Sequence, residues 1–395
     1  MPRRLQFSYF SSIKVVLLAV NLLVFGSSCT KKQVHSPQKQ GDADVLKIGE
    51  VSSMTGAEAT YGKNAHQGIL LGIDEMNEAG GIKGKKLKLI TLDSQGNPDE
   101  SARAITKLIT QEGVLSVLTG VISSNALAMA PIAQQHQIPF LATIATNPKV
   151  TDLGNFIFRT CLMDSFQGVA MAKFALQNLK MKRLVILRDI KSDYSVGLAE
   201  TFASTLKSGG GEVIMEQSYS AGDIDFRAQL TSIRSKDADG IFVPGYYTDV
   251  SLIARQAREL GLKAPLLGGD GWDSPLLKEI GGDALSGSYF SGYYSPDDSS
   301  PRLKSFITRY QKAYGVVPDG LALMGYEGTQ LFINALKRAK TLSPKDIREA
   351  FAETKNVETV SGKISMNSHR DAARPAVVLK IEKSGSIKYQ TKIYP

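Results

Sequence analysis

Cysteine is nearly missing from this chain: two in 395 residues, Cys29 and Cys161. So few thiols exclude a disulfide-stapled scaffold and a thiolate metal centre. Histidine is almost as scarce, with His35, His66, His136 and His369 too scattered along the sequence to build a metal site. The catalytic signatures are absent as well: no G-x-S-x-G, no H-E-x-x-H, no paired C-x-x-C and no Walker A loop. GGIKG at 80–84 looks superficially like a nucleotide fingerprint, but it follows a helical stretch and precedes a strand, the reverse of what pyrophosphate binding requires. The triple glycine at 209–211 is read as a helix stop. Each common enzyme class therefore lacks its minimum set of residues.

No long low-complexity tract interrupts the chain, and 43% hydrophobic content over this length supports a large core in two domains or one large one. The net charge of +9 is partly local, because Arg3, Arg4 and Lys14 lie in an acid-free N-terminal stretch. The remaining cations are interspersed with acids, which argues against nucleic-acid binding. After the basic stretch comes VVLLAVNLLVF (15–25), a run of about eleven residues. A membrane span needs about 20, so this run suits the apolar core of a secretory signal, residues 1–28. GSSC at 26–29 resembles the acylation motif of bacterial lipoproteins, with Cys29 as the lipidated residue, although Gly26 stands where Leu is usual. A plain secretory signal is the alternative. The polar segment 29–44 reads as a tether to a membrane anchor. Cys161, in FIFRTCLMD, then has no partner and reads as a buried small hydrophobe.

From residue 45 strand and helix signals alternate. VLKIGEVSSM and KLKLITLD read as strands around a helix with its apolar stripe at Ala65, Ile69, Ile73 and Met76. PDESARAITKLITQEG opens with Pro98 and acids, a helix start. VLSVLTG, a helix from Ser124, and IPFLAT follow. The rhythm restarts after residue 164 with SFQGVAMAKFALQNL, RLVILRD, SVGLAETFASTLKSGG and EVIMEQSY. The C-terminal AVVLKIEKSGSIKYQTKIYP reads as two strands turning at Ser384–Gly385. Two such runs predict an α/β protein of two doubly wound, Rossmann-like lobes with ligands at the carboxyl ends of the strands.

Polar segments stand at those ends: SSN (123–125), TIATNP (143–148), DY (193–194), GYY (245–247) and GGDGWD (268–273). Ser124 at a helix start is expected to cap it. The same hydroxyl beside free first-turn N–H groups makes an anion site. Asp270 opposite supplies a cation site. An anion site facing a carboxylate, with tyrosines between, complements a zwitterionic amino acid. Trp272 is expected to pack beneath its loop rather than meet the ligand.

The segments YGKNAHQGILLGIDEMNEAGGIKGKKLKLITLDSQGNPDESA, IPFLATIATNPKVT, FIFRTCLMDSFQG, DYSVG, GDIDFRAQLTSI and ARQARELGL occur in this order. They resemble the branched-chain (leucine/isoleucine/valine-type) amino acid binding proteins, the type I periplasmic substrate-binding components of ABC importers, over about residues 45–395. The resemblance implies a Venus-flytrap with three hinge crossings, near residues 163, 293 and 359. The first lobe would hold 45–163 and 293–358, the second 164–292 and 359–395. It implies that Ser124 and Thr146 hold the ligand α-carboxylate, and that the Ile144 carbonyl and Asp270 hold its ammonium. Tyr61, Tyr194 and Tyr246 would be pocket aromatics, Asp164 would join through water, and Ile122 and Leu321 would line the side-chain end. Two departures stand out: leucine-type members carry Glu at the position of Asp270, and some carry a disulfide at positions matching Gly96 and Ser123.

The expected function follows: a non-enzymatic, exported, lipid-anchored receptor, monomeric and without a cofactor. It would capture a small amino acid and deliver it to membrane permease subunits, with no role for nucleic acid. A small amide, a γ-amino acid or an aromatic acid remain alternative ligands. Two further readings are a sensory module built on the same lobes and a serine hydrolase using Ser123 or Ser124. The first would be marked by a fused membrane or kinase segment, which the sequence does not show after residue 29. The second needs a histidine base.

Overall fold

A computed structural model describes residues 45–295 and 297–395. The signal, the acylation motif with Cys29 and the tether lie outside the described residues.

The first strands and helices alternate as the pattern predicts: β1 (Val45–Ser52), α1 (Ala59–Glu78), β2 (Lys86–Asp93), α2 (Pro98–Lys107), β3 (Val117–Gly120), α3 (Ser123–Gln135), β4 (Phe140–Ala142), α4 (Lys149–Asp152) and β5 (Ile157–Arg159). Side-chain caps set several starts. The Asn97 side chain accepts from the N–H groups of Asp99 and Glu100, with Pro98 just inside α2. The helix expected to continue from α2 to residue 113 instead widens into a π turn at Leu108–Glu112, closed by Gly113 at φ 66°. The five strands are parallel in the order β2-β1-β3-β4-β5.

A second set follows: α5 (Asp164–Gln177), β6 (Arg183–Asp189), α6 (Asp193–Ser208), β7 (Glu212–Tyr219), α7 (Arg227–Arg234), β8 (Gly240–Phe242), α8 (Tyr247–Glu259), β9 (Leu266–Gly268), α9 (Pro275–Gly281) and β10 (Tyr289–Gly292). Its parallel strands run β7-β6-β8-β9-β10, the same winding as the first lobe. In each lobe the order reverses once, between β1 and β3 and between β6 and β8, and at such switch points loops diverge and leave a crevice.

The chain then returns to the first lobe with α10 (Pro301–Tyr314), α11 (Gly320–Arg338), α12 (Pro344–Ala352) and a small hairpin of β11 (Val357–Thr359) and β12 (Gly362–Ile364). It ends as β13 (Ala376–Ile381) and β14 (Ile387–Ile393), antiparallel strands on the edge of the second sheet. The turn between them spans Ser384–Gly385, and its Gly385 has φ 73°.

The third crossing differs from the expected position near 359. Residues 366–372 still belong to the first lobe, because Asp371 bridges Arg159 at the end of β5 and Met366 bridges Ala372. The Arg159 Nε to Asp371 Oδ1 ion pair, 2.8 Å and buried, holds them there. The chain reaches the second sheet only at Ala376. Between, Arg374 is pinned to Glu327 of α11 by a buried 2.9 Å ion pair.

An interlobe cleft lined by strand ends

The loops that follow β3, β4, β6, β8 and β9 converge at the two switch points. Together with α1 and α11 they bring Tyr61, Ile122, Ser123, Ile144, Thr146, Tyr194, Tyr246, Asp270, Gly271 and Leu321 around one cavity. The lobes are shut, leaving about 20 Å³, room for roughly one water. A solute therefore enters only when the lobes part. Tyr194 and Tyr246 stack at 5.1 Å between ring centres, and Tyr61 meets Tyr246 edge-on at 5.7 Å, so the walls are aromatic and apolar.

Asp270 is the acid of the site and is 4% exposed. Its Oδ2 accepts from the Tyr293 hydroxyl at 2.6 Å and its Oδ1 from the Gln167 amide at 3.0 Å. The Tyr194 hydroxyl stands at the same loop and accepts from Gly271 N–H at 3.0 Å. Burial raises the Asp270 pKa, and these donors pull it back toward the carboxylate form. Asp164 opens α5 and is also buried. Burial first, and then the Asp270 charge, pushes its carboxyl well above the usual range. One of its oxygens, Oδ2, is buried without a hydrogen-bond partner. Among the described residues neither acid has an ion-pair partner. Arg159, the nearest buried cation in sequence, is committed to Asp371, Thr151 and the carbonyls of Ala145, Asn147 and Pro148. Two buried acids without a cation make a site for a positively charged ligand group.

The opposite wall is the start of α3. Ala126 N–H is the first to bond back along the helix, to Ile122 O at 3.1 Å, so the N–H groups before it point free of the ladder. Ser123 lines the cavity here, and its hydroxyl accepts from Asn147 N–H at 3.2 Å. Thr146 also lines the cavity, and its carbonyl accepts from Asp164 N–H at 3.0 Å. Among the described residues no basic side chain lines the cavity, so an anion would rest on helix N–H groups and hydroxyls.

Eight of the ten residues proposed from the sequence line this cavity: Ile122, Ile144, Thr146, Tyr61, Tyr194, Tyr246, Asp270 and Leu321. Asp164 does not; it reaches the site through Gln167, whose amide lies 3.5 Å from Asp164 Oδ1 and 3.0 Å from Asp270 Oδ1. Ser124 is likewise absent from this lining. The helix begins one residue earlier, at Ser123, with Ile122 at the cap and no side-chain cap bond. Each helical residue rotates by about 100°, so Ser124 turns away from the cavity toward the other lobe. There its hydroxyl donates to Asp193 Oδ2 at 2.9 Å. Neither serine faces a histidine. Gln167 and Tyr293 were missed: Gln167 lies one turn beyond Asp164 on α5, and Tyr293 follows the end of β10, the same signal that marked the other loops. Trp272 is buried under its loop and donates to Val243 O at 3.0 Å, as expected. Cys161 is buried too, which raises its thiol pKa.

Further bonds join the lobes across the cleft mouth. Tyr61 donates to the Gly271 carbonyl and accepts from Tyr247 N–H at 3.2 Å. The Tyr247 hydroxyl donates to Ala57 O at 2.9 Å, and Asn147 donates to Asp193 O at 2.7 Å.

The chain is similar to known proteins over nearly all of the described residues. The family described as periplasmic binding protein matches residues 45–386. The Leu/Ile/Val-binding protein BraC3 of Rhizobium johnstonii is 29% identical over 347 residues, 87% of this chain and 93% of that protein. The crystal structure of the leucine-binding protein LivK from Thermotoga maritima superposes with a TM-score of 0.84 at 36% identity, covering 89% of this chain and 99% of that one. LivJ from Streptococcus pneumoniae, a branched-chain amino acid transporter substrate-binding protein solved with isoleucine, gives 0.82 at 30% identity, covering 89% and 99%. The chain belongs to the periplasmic binding protein family, among the substrate-binding proteins of branched-chain amino acid ABC importers.

Proposed function

We propose that this protein captures a small apolar α-amino acid, of the branched-chain class, between its lobes and presents it to the permease of an ABC importer. The observation that carries the reading is Asp270, a buried acid without a cation, lining an apolar, tyrosine-walled cleft together with Ser123 at the start of α3, and backed through Gln167 by buried Asp164. The ligand ammonium goes to Asp270 and the Ile144 carbonyl, with Asp164 acting through Gln167. Its carboxylate goes to Ser123, Thr146 and the first N–H groups of α3. Ile122 and Leu321 receive its side chain. The relatives, named for binding leucine, isoleucine and valine, agree with this chemistry.

The protein works outside the cytoplasm as a monomer, held at a membrane by a lipid on Cys29. A Cys29→Ser variant should lose palmitate labelling and membrane retention while keeping ligand affinity.

A thermal-shift panel of amino acids, small amides, γ-amino acids and aromatic acids tests the ligand class. Leucine, isoleucine or valine should give the largest rise in Tm, since a ligand at 100 times its Kd stabilises by about 2.7 kcal/mol. A panel in which only amides or aromatic acids stabilise the protein would replace this reading.

A further inference from the structure

A second cavity, of about 650 Å³, opens between the lobes and, among the described residues, shares no lining residue with the cleft. That volume lies within the range of about 300–1,000 Å³ typical of small-molecule sites. Its wall is hydrocarbon: Leu276, Leu277 and Leu285 from the second lobe face Val317 and Pro318 from the loop before α11. Val317 is 58% exposed and borders the opening.

At one end two carboxylates from different lobes meet the start of α11. Asp319 caps this helix through Ala322 N–H at 2.8 Å, and Asp273 accepts from Gly320 N–H at 3.1 Å. Neither carboxylate has an ion-pair partner among the described residues. Asn64 donates to Asp319, and the Tyr294 and Tyr310 hydroxyls that also line the cavity are bonded elsewhere, to Pro318 O and Gln67. Among the described residues Lys278 is the one cation on the lining, and it lies along the Gly385 turn. Burial and, next, the Asp319 charge push Asp273 well above the usual carboxylate range, and burial pushes Asp319 up to about 6. A positive charge placed between these acids relieves both costs. A hard metal ion needs about six to eight oxygens, and the adjoining wall supplies hydrocarbon instead.

We propose that this cavity is a second ligand site, one that takes a small apolar amine with its ammonium between Asp273 and Asp319 and its hydrocarbon part against the leucine wall. The site is separate from the amino acid cleft and does not depend on which solute that cleft binds.

Calorimetric titration with n-hexylamine, 1-hexanol and hexanoate tests it on the purified protein. Hexylamine should bind at one per chain, and the alcohol and acid at least tenfold more weakly. Asp273→Asn should lower hexylamine affinity at least tenfold, whereas Asp270→Asn in the cleft should leave it within about threefold. Leu276→Trp, which adds bulk to the leucine wall and keeps both carboxylates, should also lower it at least tenfold and decides the matter if Asp273→Asn does not fold. The inference is overturned if hexylamine shows no saturable binding, if the alcohol binds equally well, or if Asp270→Asn removes binding that Asp273→Asn retains.

Discussion

Ser123 and Ser124 are neighbours in sequence with different work. Ser123 faces the cavity, and Ser124 crosses the lobe seam to Asp193. Ser123→Ala should weaken amino acid binding about tenfold, the scale of one lost bond to a charged group at about 1.5–3 kcal/mol. Ser124→Ala removes a closing contact rather than a ligand contact, so it should speed ligand release, read by stopped-flow fluorescence, with little change in the association rate. The two roles could not be told apart in the sequence because a one-residue change in where α3 starts rotates each side chain to another face. Tyr194, Tyr246 and Asp270 were legible because they follow strand ends, whereas Tyr61 was implied only by the family resemblance. A titrating residue lies away from the cleft. His66 Nδ1 bonds buried Glu50 at 2.6 Å, and chiefly this hydrogen bond raises the His66 pKa above its ordinary value of 6.5. The folded form thus holds the proton more tightly than the unfolded chain. The resulting stability is fully present below about pH 6.5 and is lost as pH rises through the raised value. Tm measured from pH 5.5 to 9 should show this loss in the wild type, and His66→Gln should lack that component.

Helices α1 and α11 carry residues from the first lobe to the cleft: Tyr61 on α1, Leu321 on α11. Their spacing depends on glycines on both faces. A Cβ at Gly68 would overlap the Ala322 carbonyl, and a Cβ at Gly325 would overlap the Ala65 carbonyl. Backbone atoms cannot move aside as side-chain ends do, so Gly68→Ala should cost at least the ~1–3 kcal/mol usual for overpacking. Urea unfolding reads this as a lower midpoint with unchanged slope. The same substitution at exposed Gly84 meets no neighbouring atom and separates crowding from backbone effects, since its φ of 78° strains the backbone alone. At this scale the sequence was readable where apolar periodicity is long, as in α1 or β6. It was not readable at residues 357–372, where strands of three residues carry too little pattern and the deciding contact, Arg159 with Asp371, spans most of the chain.

In the whole molecule the two lobes repeat one winding, so their switch points face each other and the loops after β3 and β4 oppose those after β6, β8 and β9. That symmetry makes a site shared by both lobes. A ligand holds the lobes shut only through contacts it makes with each: in the proposed pose, the carboxylate end with the first lobe and the ammonium also with Asp270 of the second. A ligand ammonium arriving beside acids whose pKa values are raised should also displace protons from them. The architecture was legible from strand and helix alternation, while the tightness of closure was not, because it rests on single cross-lobe hydrogen bonds such as Ser124 to Asp193. Calorimetry of leucine, leucinamide and N-acetylleucine against the wild type and Asp270→Asn tests the central claim most directly. The account predicts saturable 1:1 binding of leucine, at least tenfold weaker binding of each blocked analogue, and at least a tenfold loss for leucine in Asp270→Asn. Equal binding of leucine and N-acetylleucine, or wild-type leucine affinity in Asp270→Asn, would contradict it.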